Sequence, residues 1–290
     1  MRNFLYDLKQ ICRRNRDGSY ATQANRERML SQMGRQLLEL GYGLERAASL
    51  KPKHIDALVN LWKSQNLSTG TFKNRMSNLR WLMDKVGKRN TIARSNDHYG
   101  IPRRVYVTNV SKARELVEAE LALITDPCTW ASLRLQAAFG LRREESIKIR
   151  PAWADRRDHI RIKASWGKGK RDREVLIRNT EQRVVLEEAK AIARKTSQRS
   201  LVGKATYIEQ VRRFEHQCEC AGICKTHGHR HMYAQVRYRE LTGWDCPCQG
   251  GPRSKELDAT RKQIDYEARM KITTEMGHGR EQVVAIYVGR

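Results

Sequence analysis

Between Ile160 and Ile177 the hydrophobic pattern of this 290-residue chain changes period, and that change fixes what the chain can fold into. Ile160, Ile162 and Ala164, then Val175 and Ile177, alternate with other residues around Gly167-Lys168-Gly169-Lys170. Strand side chains point to alternate faces, so the pattern predicts two strands joined by a glycine-bearing turn. The flanking sequence repeats its apolar residues at three and four, the spacing of one helix face. Phe4, Leu8, Ile11 and Cys12 mark a first helix. Met29, Met33, Leu37 and Leu40 mark a second, ending near Gly41. Ile55, Leu58, Leu61 and Trp62 form a third, entered after Pro52. Phe72, Met76, Leu79, Met83 and Val86 form a fourth, closed by Gly87. Helical patterns return around 111–125, 129–139, 181–195 and 205–217. The expected fold is mainly α with a small β-sheet.

Periodicity lapses from Asn90 to Val110, where Gly100, Pro102, Arg103 and Arg104 read as a surface connection. The expected division is a helical domain over 1–95, a linker over 96–112, and a mixed α/β domain over 113–290. No internal repeat or low-complexity tract interrupts it.

Charge narrows the partners. The chain holds 57 Lys or Arg against 32 Asp or Glu, a net +25. Such a charge suits polyphosphate backbones or anionic membrane surfaces. No run of 18 apolar residues, lipidation motif or strongly apolar surface helix supports the membrane. The first residues, Met1 to Asp7, lack an apolar stretch before their charges and do not read as a secretory signal. A cytoplasmic protein facing nucleic acid is the expectation. The first 110 residues carry 21 basic against 8 acidic residues, and the other 180 carry 36 against 24. Basic density at the front suggests a DNA-gripping module. Lys73, Asn74, Asn78 and Arg80 share the polar side of the fourth helix and are either phosphate contacts or a solvated face.

Four short motifs outside the hairpin carry chemistry. The run Ala137-Ala138-Phe139 breaks at Gly140-Leu141-Arg142, and Glu145 follows three residues after the arginine. That spacing lets Glu145 hold the Arg142 guanidinium, though such a pair alone is ordinarily a surface ion pair. Thr226-His227-Gly228-His229-Arg230-His231 gives an HxxR spacing on a helix. Met276-Gly277-His278 follows, and Tyr287 comes nine residues after His278. A lone tyrosine is ordinarily a packed aromatic; the order and spacing of the whole set argue otherwise.

In that order, the arginine motif, the glycine-lysine turn, the HxxR box, the Gly-His pair and the terminal tyrosine resemble the tyrosine recombinases (phage-type integrases). The likeness runs over roughly 110–290, behind a helical domain like the family's core-binding domain. It implies a tyrosine-recombinase catalytic domain over 113–290 and a C-shaped clamp around duplex DNA. Attack at a DNA phosphorus builds negative charge on the nonbridging oxygens, and fixed guanidinium forks can meet it without a metal. The resemblance implies Arg142 and Arg230 as the clamp on the scissile phosphate. It implies Tyr287 as the nucleophile forming a 3′-phosphotyrosyl link, with no nucleotide cofactor or metal. Lys168, with Lys170 as its competitor on the same turn, is the implied proton donor to the leaving 5′-oxygen. His227 and His278 assist proton transfer and orient the phosphate. Glu145 supports from behind. His229 and His231 could each stand in for His227; otherwise His231 packs the helix and His229 is structural.

Two duplexes need four active sites, so a homotetramer assembled on double-stranded attachment DNA is implied. The implied use is integration or excision of a phage or other mobile element in a bacterial, nucleoid-associated setting, with resolution of replicon dimers as an alternative. Two rivals share parts of this reading: a noncatalytic DNA-binding accessory protein keeping the fold, and a type IB topoisomerase-like strand relaxase. The chain departs from the family pattern twice. Forty-eight residues separate Arg230 from His278, and the turn-rich stretch Leu241 to Pro252 suggests a surface insertion over about 242–268. Only Val288, Gly289 and Arg290 follow Tyr287, where many relatives continue into a docking helix, so other contacts order the assembly or the chain is shortened. Cys218, Cys220, Cys246 and Cys248 could supply four thiolates to a zinc tying the insertion to the HxxR helix, or be reduced packing cysteines.

Overall fold

The computed structural model describes residues 2–167 and 171–290. The chain splits into two compact units, Met1–Val105 and Tyr106–Arg290.

The first unit is built on α1 (Arg2–Arg14), α2 (Tyr20–Glu39), α3 (Pro52–Ser64) and α4 (Thr69–Lys85). Each follows its apolar spacing: Phe4, Leu8 and Cys12 are buried on α1, and Leu30, Met33 and Leu37 on α2. Leu40 falls outside that stripe and is 42% exposed. The Ser19 hydroxyl caps α2 by accepting from the Thr22 N–H at 3.3 Å, and Pro52 occupies the first turn of α3, where no N–H is needed. Trp62 lies at the centre, fully buried, with Nε1–H donating to Gln36 Oε1 at 2.9 Å. That bond satisfies the one polar group of a side chain whose burial is worth about 2–3 kcal/mol. Ile92, Tyr99 and Ile101 join the same core. The packed unit therefore continues past residue 95 into the stretch read as linker, because two apolar side chains there, Tyr99 and Ile101, still find the core.

The second unit contains α5 (Glu118–Leu121), α6 (Pro127–Phe139), α7 (Arg143–Lys148), α8 (Pro151–Ala154), β1 (His159–Ile162), β2 (Arg173–Leu176), α9 (Thr180–Arg194), α10 (Tyr207–Cys220), α11 (His227–Thr242), α12 (Ala259–Glu275) and α13 (Ala285–Val288). Its main core gathers Leu135, Phe139, Ile160, Ile162, Val175, Leu186, Tyr238, Ile272 and Val288. A smaller cluster joins Leu133, Ile147, Val211, Phe214 and Cys218. The two strands pair antiparallel, Ile160 opposite Val175 and Ile162 opposite Arg173. Mostly helix with one two-stranded sheet is the architecture the periodicities predict.

Three local expectations change. Residues 111–117 are not helical: Arg114 N–H donates to Gly228 O, and its guanidinium reaches Cys224 O and the Glu120 carboxylate, pinning the segment along the start of α11. The hairpin connection is longer than a tight turn. The strand ends at Ile162 because Ala164–Trp166 forms a 3₁₀ turn that buries Trp166 against Trp153 at 5.4 Å between ring centroids. The expected insertion becomes α12 from Ala259, leaving 243–258 irregular. Within it Cys246, Pro247 and Leu257 are buried while the other residues are half-buried or exposed, so the stretch lies on the surface and is anchored to the core at those side chains. Among the described residues no helix is long and apolar enough to cross a membrane.

Candidate active site

Gly140 closes α6 in the left-handed region, φ +59°, and a Cβ there would lie 2.5 Å from the Tyr233 ring. Only glycine meets both demands. The turn delivers Arg142 to the mouth of α7, where the Glu145 carboxylate accepts from the Arg142 backbone N–H and from its Nη1, both at 2.7 Å. The backbone contact is the reach-back half of a capping box.

Glu145 is 2% exposed and has a second partner that sequence reasoning missed. Arg173, the first residue of β2, donates a bidentate pair to it at 2.8 and 2.6 Å and gives its Nε–H to Glu275 O at 2.8 Å. Burial alone raises the Glu145 carboxyl pKa. The Arg173 hydrogen bonds and charge, joined by Arg142, outweigh burial and hold it at about 2. A signal for Arg173 was present: it sits two residues before Val175, on the inward phase of its strand, where a charge demands a buried partner.

Arg230, on the first turn of α11, is fully buried. Its Nη1 donates to Gly140 O, and its Nη2 donates to Met276 O and lies 3.1 Å from His278 Nε2. Its Nε has no hydrogen-bond partner among the described residues, and no carboxylate bonds to the guanidinium there. Burial, with Arg142 and Arg173 nearby, lowers its pKa to about 10 despite the proximity of Tyr287. His278 reaches the site because Gly277, φ +65°, reverses the chain at the end of α12. A Cβ on Gly277 would press on Arg173 Cδ at 2.8 Å.

Tyr287 lies on the short helix α13, 6% exposed. Its hydroxyl is 3.3 Å from His227 Nε2, and its ring lies 4.5 Å from the His231 ring, 5.6 Å from that of His278, and 5.8 Å from Arg230 Cζ. Desolvation, then the charges of Arg230 and Arg142, lowers the pKa of His227. The same causes bring His278 to about 3, and burial with His227, Lys112 and Arg230 brings His231 to about 4. All three rings are therefore neutral near pH 7. The Tyr287 carbonyl accepts from Gln235 Nε2 at 3.0 Å and Cys248 Sγ at 3.2 Å, and Gly289 O accepts from Arg269 Nη1 at 2.8 Å. None of these three supports carries a motif.

The structure thus brings Arg142, Glu145, Arg230, His227, His231, His278 and Tyr287 into one site. His229 is bound instead through Nδ1 to Arg114 O at 3.0 Å. Lys168 and Lys170 lie outside the described residues. In the first unit Lys73 is half-buried and Asn74 exposed, while Arg80 directs its Nε, Nη1 and Nη2 to Ala93 O, Asn96 Oδ1 and Ser95 O. The four-thiolate zinc site is not formed. Cys218 packs in the smaller core cluster and Cys246 in the main one, and no group of three or more metal-ligating side chains occurs among the described residues.

Chemically, Arg142 and Arg173 share one bonded carboxylate, Glu145, and among the described residues Arg230 bonds to none. The remaining positive charge is enclosed and aimed at a phenol whose proton a neutral histidine can accept. A buried cation without a counter-ion is a binding site for an anion.

The chain matches the family described as phage integrase, N-terminal, over residues 1–92, and the integrase family over residues 102–236. By structure it is similar to the XerH site-specific recombinase bound to palindromic difH substrate in a post-cleavage complex, with TM-score 0.59, 15% identity, and coverage of 98% of this chain and 80% of that one. It is also similar to the Tn1549 transposon integrase in complex with transposon right end DNA, with TM-score 0.58, 13% identity, and 99% and 95% coverage. The lambda integrase tetramer bound to a Holliday junction gives TM-score 0.55, 14% identity, and 98% and 75% coverage. At these identities the likeness is one of fold. No curated protein matches the sequence.

Proposed function

We propose that this chain, which belongs to the tyrosine recombinase family of phage-type integrases, cleaves and rejoins DNA strands through a phosphotyrosyl intermediate on Tyr287. The observation that carries the reading is the buried Arg230 guanidinium, with no carboxylate hydrogen-bonded to it among the described residues, lying under the Tyr287 ring. A DNA phosphate supplies the missing anion.

Arg142 and Arg230 grip its nonbridging oxygens, with Arg173 and Glu145 fixing the Arg142 fork from behind. His227 Nε2 takes the phenolic proton as the Tyr287 oxygen attacks phosphorus. The DNA 3′-phosphate becomes linked to the tyrosine, and the 5′-oxygen departs with a proton from Lys168. His278, held against Arg230, orients the phosphate. A 5′-hydroxyl from another strand reverses the step and joins DNA in a new order. The phosphotyrosyl bond keeps the energy of the broken phosphodiester, so rejoining needs no nucleotide.

Tyrosine and pocket belong to one chain, which supports cleavage in cis. The partner is double-stranded DNA at recombination sites, and the working form is a homotetramer on two duplexes, as in the lambda integrase assembly on a Holliday junction. Residues 1–95 act as the core-binding domain, with Lys73 and Asn74 facing the backbone. Integration or excision of a mobile element, in the bacterial cytoplasm and beside the nucleoid, is the setting this chemistry serves.

Tyr287→Phe on a nicked suicide substrate tests the reading. The variant binds the DNA like the wild type and forms no covalent adduct. An adduct that persists names another nucleophile, and wild-type protein that binds without ever forming one favours an accessory DNA-binding role.

A further inference from the structure

Two thiols lie against the helix that carries the nucleophile. Cys246 and Cys248 flank Pro247 in a tight 3₁₀ turn, closed by Gln249 N–H to Cys246 O at 2.8 Å and Gly251 N–H to the same oxygen at 3.1 Å. Their sulfurs are 3.4 Å apart. Cys246 is fully buried in the core that includes Tyr287, whereas Cys248 is half-buried and reachable. The Cys248 thiol donates to the Tyr287 carbonyl at 3.2 Å, one of two side-chain donors there among the described residues; Gln235 is the other. The same turn abuts Gly289, where a Cβ would sit 2.8 Å from the Cys248 nitrogen. The proposed DNA chemistry uses neither sulfur.

We propose that Cys246 and Cys248 form a reversible oxidation site whose closure loosens the helix that holds Tyr287. The inference rests on the recombinase reading for its effect on catalysis. The oxidant is a small-molecule disulfide. The Cys248 thiolate attacks one of its sulfurs, forming a mixed disulfide and releasing one small thiol. The Cys246 thiolate then attacks the Cys248 sulfur, closing the intramolecular bond and releasing the second. Two protons and two electrons leave the protein, and the oxidant becomes two thiols. The hydrogen bond from Cys246 makes Cys248 the easier of the pair to deprotonate, which suits the more accessible sulfur to the first step. Bonding draws the sulfurs together by about 1.4 Å, toward the 2.05 Å of a disulfide. Cys248 then has no hydrogen left to donate, the Tyr287 carbonyl keeps Gln235 alone, and the turn shifts under Gly289.

The test treats the reduced full chain with oxidised glutathione and follows three signals. The peptide spanning 246–248 becomes lighter by two hydrogens. Adduct formation on a suicide substrate slows about fivefold, as for loss of one hydrogen bond, and recovers with dithiothreitol. Backbone amides over 284–290 exchange faster with solvent. Cys246→Ser keeps the reduced-state rate and, given oxidised glutathione, gains one glutathione on Cys248 in place of the two-hydrogen loss. The idea is overturned if no intramolecular linkage forms in the wild type, if it forms with rate and exchange unchanged, or if Cys246→Ser acquires no glutathione. Hydrogen exchange needs no DNA, so a reduced protein that makes no adduct while its exchange responds as described refutes the recombinase reading and leaves the switch standing.

Discussion

Arg142 and Arg173 converge on one carboxylate, Glu145, and the buried Arg230 adds a third positive charge beside them. Removing Arg173 leaves a buried carboxylate with a single, partly exposed partner, a loss of about 3 kcal/mol by comparison with other broken buried pairs. Arg173→Ala is expected to lower the melting temperature by several degrees and to slow adduct formation more than tenfold, with Arg173→Lys recovering part of the stability but less of the rate. Unchanged adduct kinetics in a folded Arg173→Ala would remove it from the positioning of Arg142. The histidines give a pH prediction of definite sign. His278 and His231 titrate near 3 and 4 in the folded chain against 6.5 ordinarily, and Glu145 near 2 against 4.5. In each case the unfolded chain takes up protons at higher pH than the folded one. Stability from the histidines is complete above pH 6.5 and drains as pH falls toward 4 and 3, by at most about 1.4 kcal/mol per pH unit for each; that from Glu145 is lost between 4.5 and 2. His278→Gln should flatten melting temperature against pH between 6.5 and 4. An equally steep curve in the variant contradicts the buried, neutral imidazole.

Short structural elements aim these side chains, and their glycines are where that aim is most exposed to mutation. Gly277 turns the chain with φ +65° while giving room to Arg173. Gly277→Ala combines left-handed strain with that contact, so a loss of about 2 kcal/mol and a more than tenfold slower adduct are expected, read by thermal melting and suicide-substrate kinetics. The helix faces were legible because burial of an apolar stripe is local in sequence, as Phe4, Leu8 and Cys12 on α1 illustrate. The hairpin connection was not legible, because burial of Trp166 against Trp153 rather than strand alternation decides where β1 stops. On α4 the polar face divides in a way that pattern alone cannot reveal: Arg80 holds the chain at 93–96, whereas Lys73 has no such bond among the described residues. Arg80→Ala is therefore expected to destabilise the first unit by about 1–3 kcal/mol. Lys73→Glu should instead weaken DNA binding and lower the slope of log affinity against log salt by about 0.9 or more. An unchanged slope returns Lys73 to the solvated surface.

Across the whole molecule, the net charge of +25 makes a polyanion the partner, and the order of motifs from Gly140 to Tyr287 carries the proposed chemistry. That proposal was readable because transfer at phosphorus by side chains alone admits few residue types: guanidinium groups for the charge, a phenol to attack, an imidazole for the proton. The supports were hidden for the opposite reason. Gln235, Cys248 and Arg269 hold the Tyr287 helix from sequence distances of 52, 39 and 20 residues, and nothing in their own neighbourhoods marks them. The stretch after α11 is rich in turn residues and lies mostly on the surface, yet it carries the turn that braces the Tyr287 helix. The central claim is that Tyr287 forms the bond to DNA. Trapping the wild-type chain on nicked attachment DNA, digesting both polymers and mapping the modified peptide tests it most directly. The account predicts a nucleotide joined through its 3′-phosphate to Tyr287; a nucleotide on any other side chain, or a 5′ linkage, contradicts it.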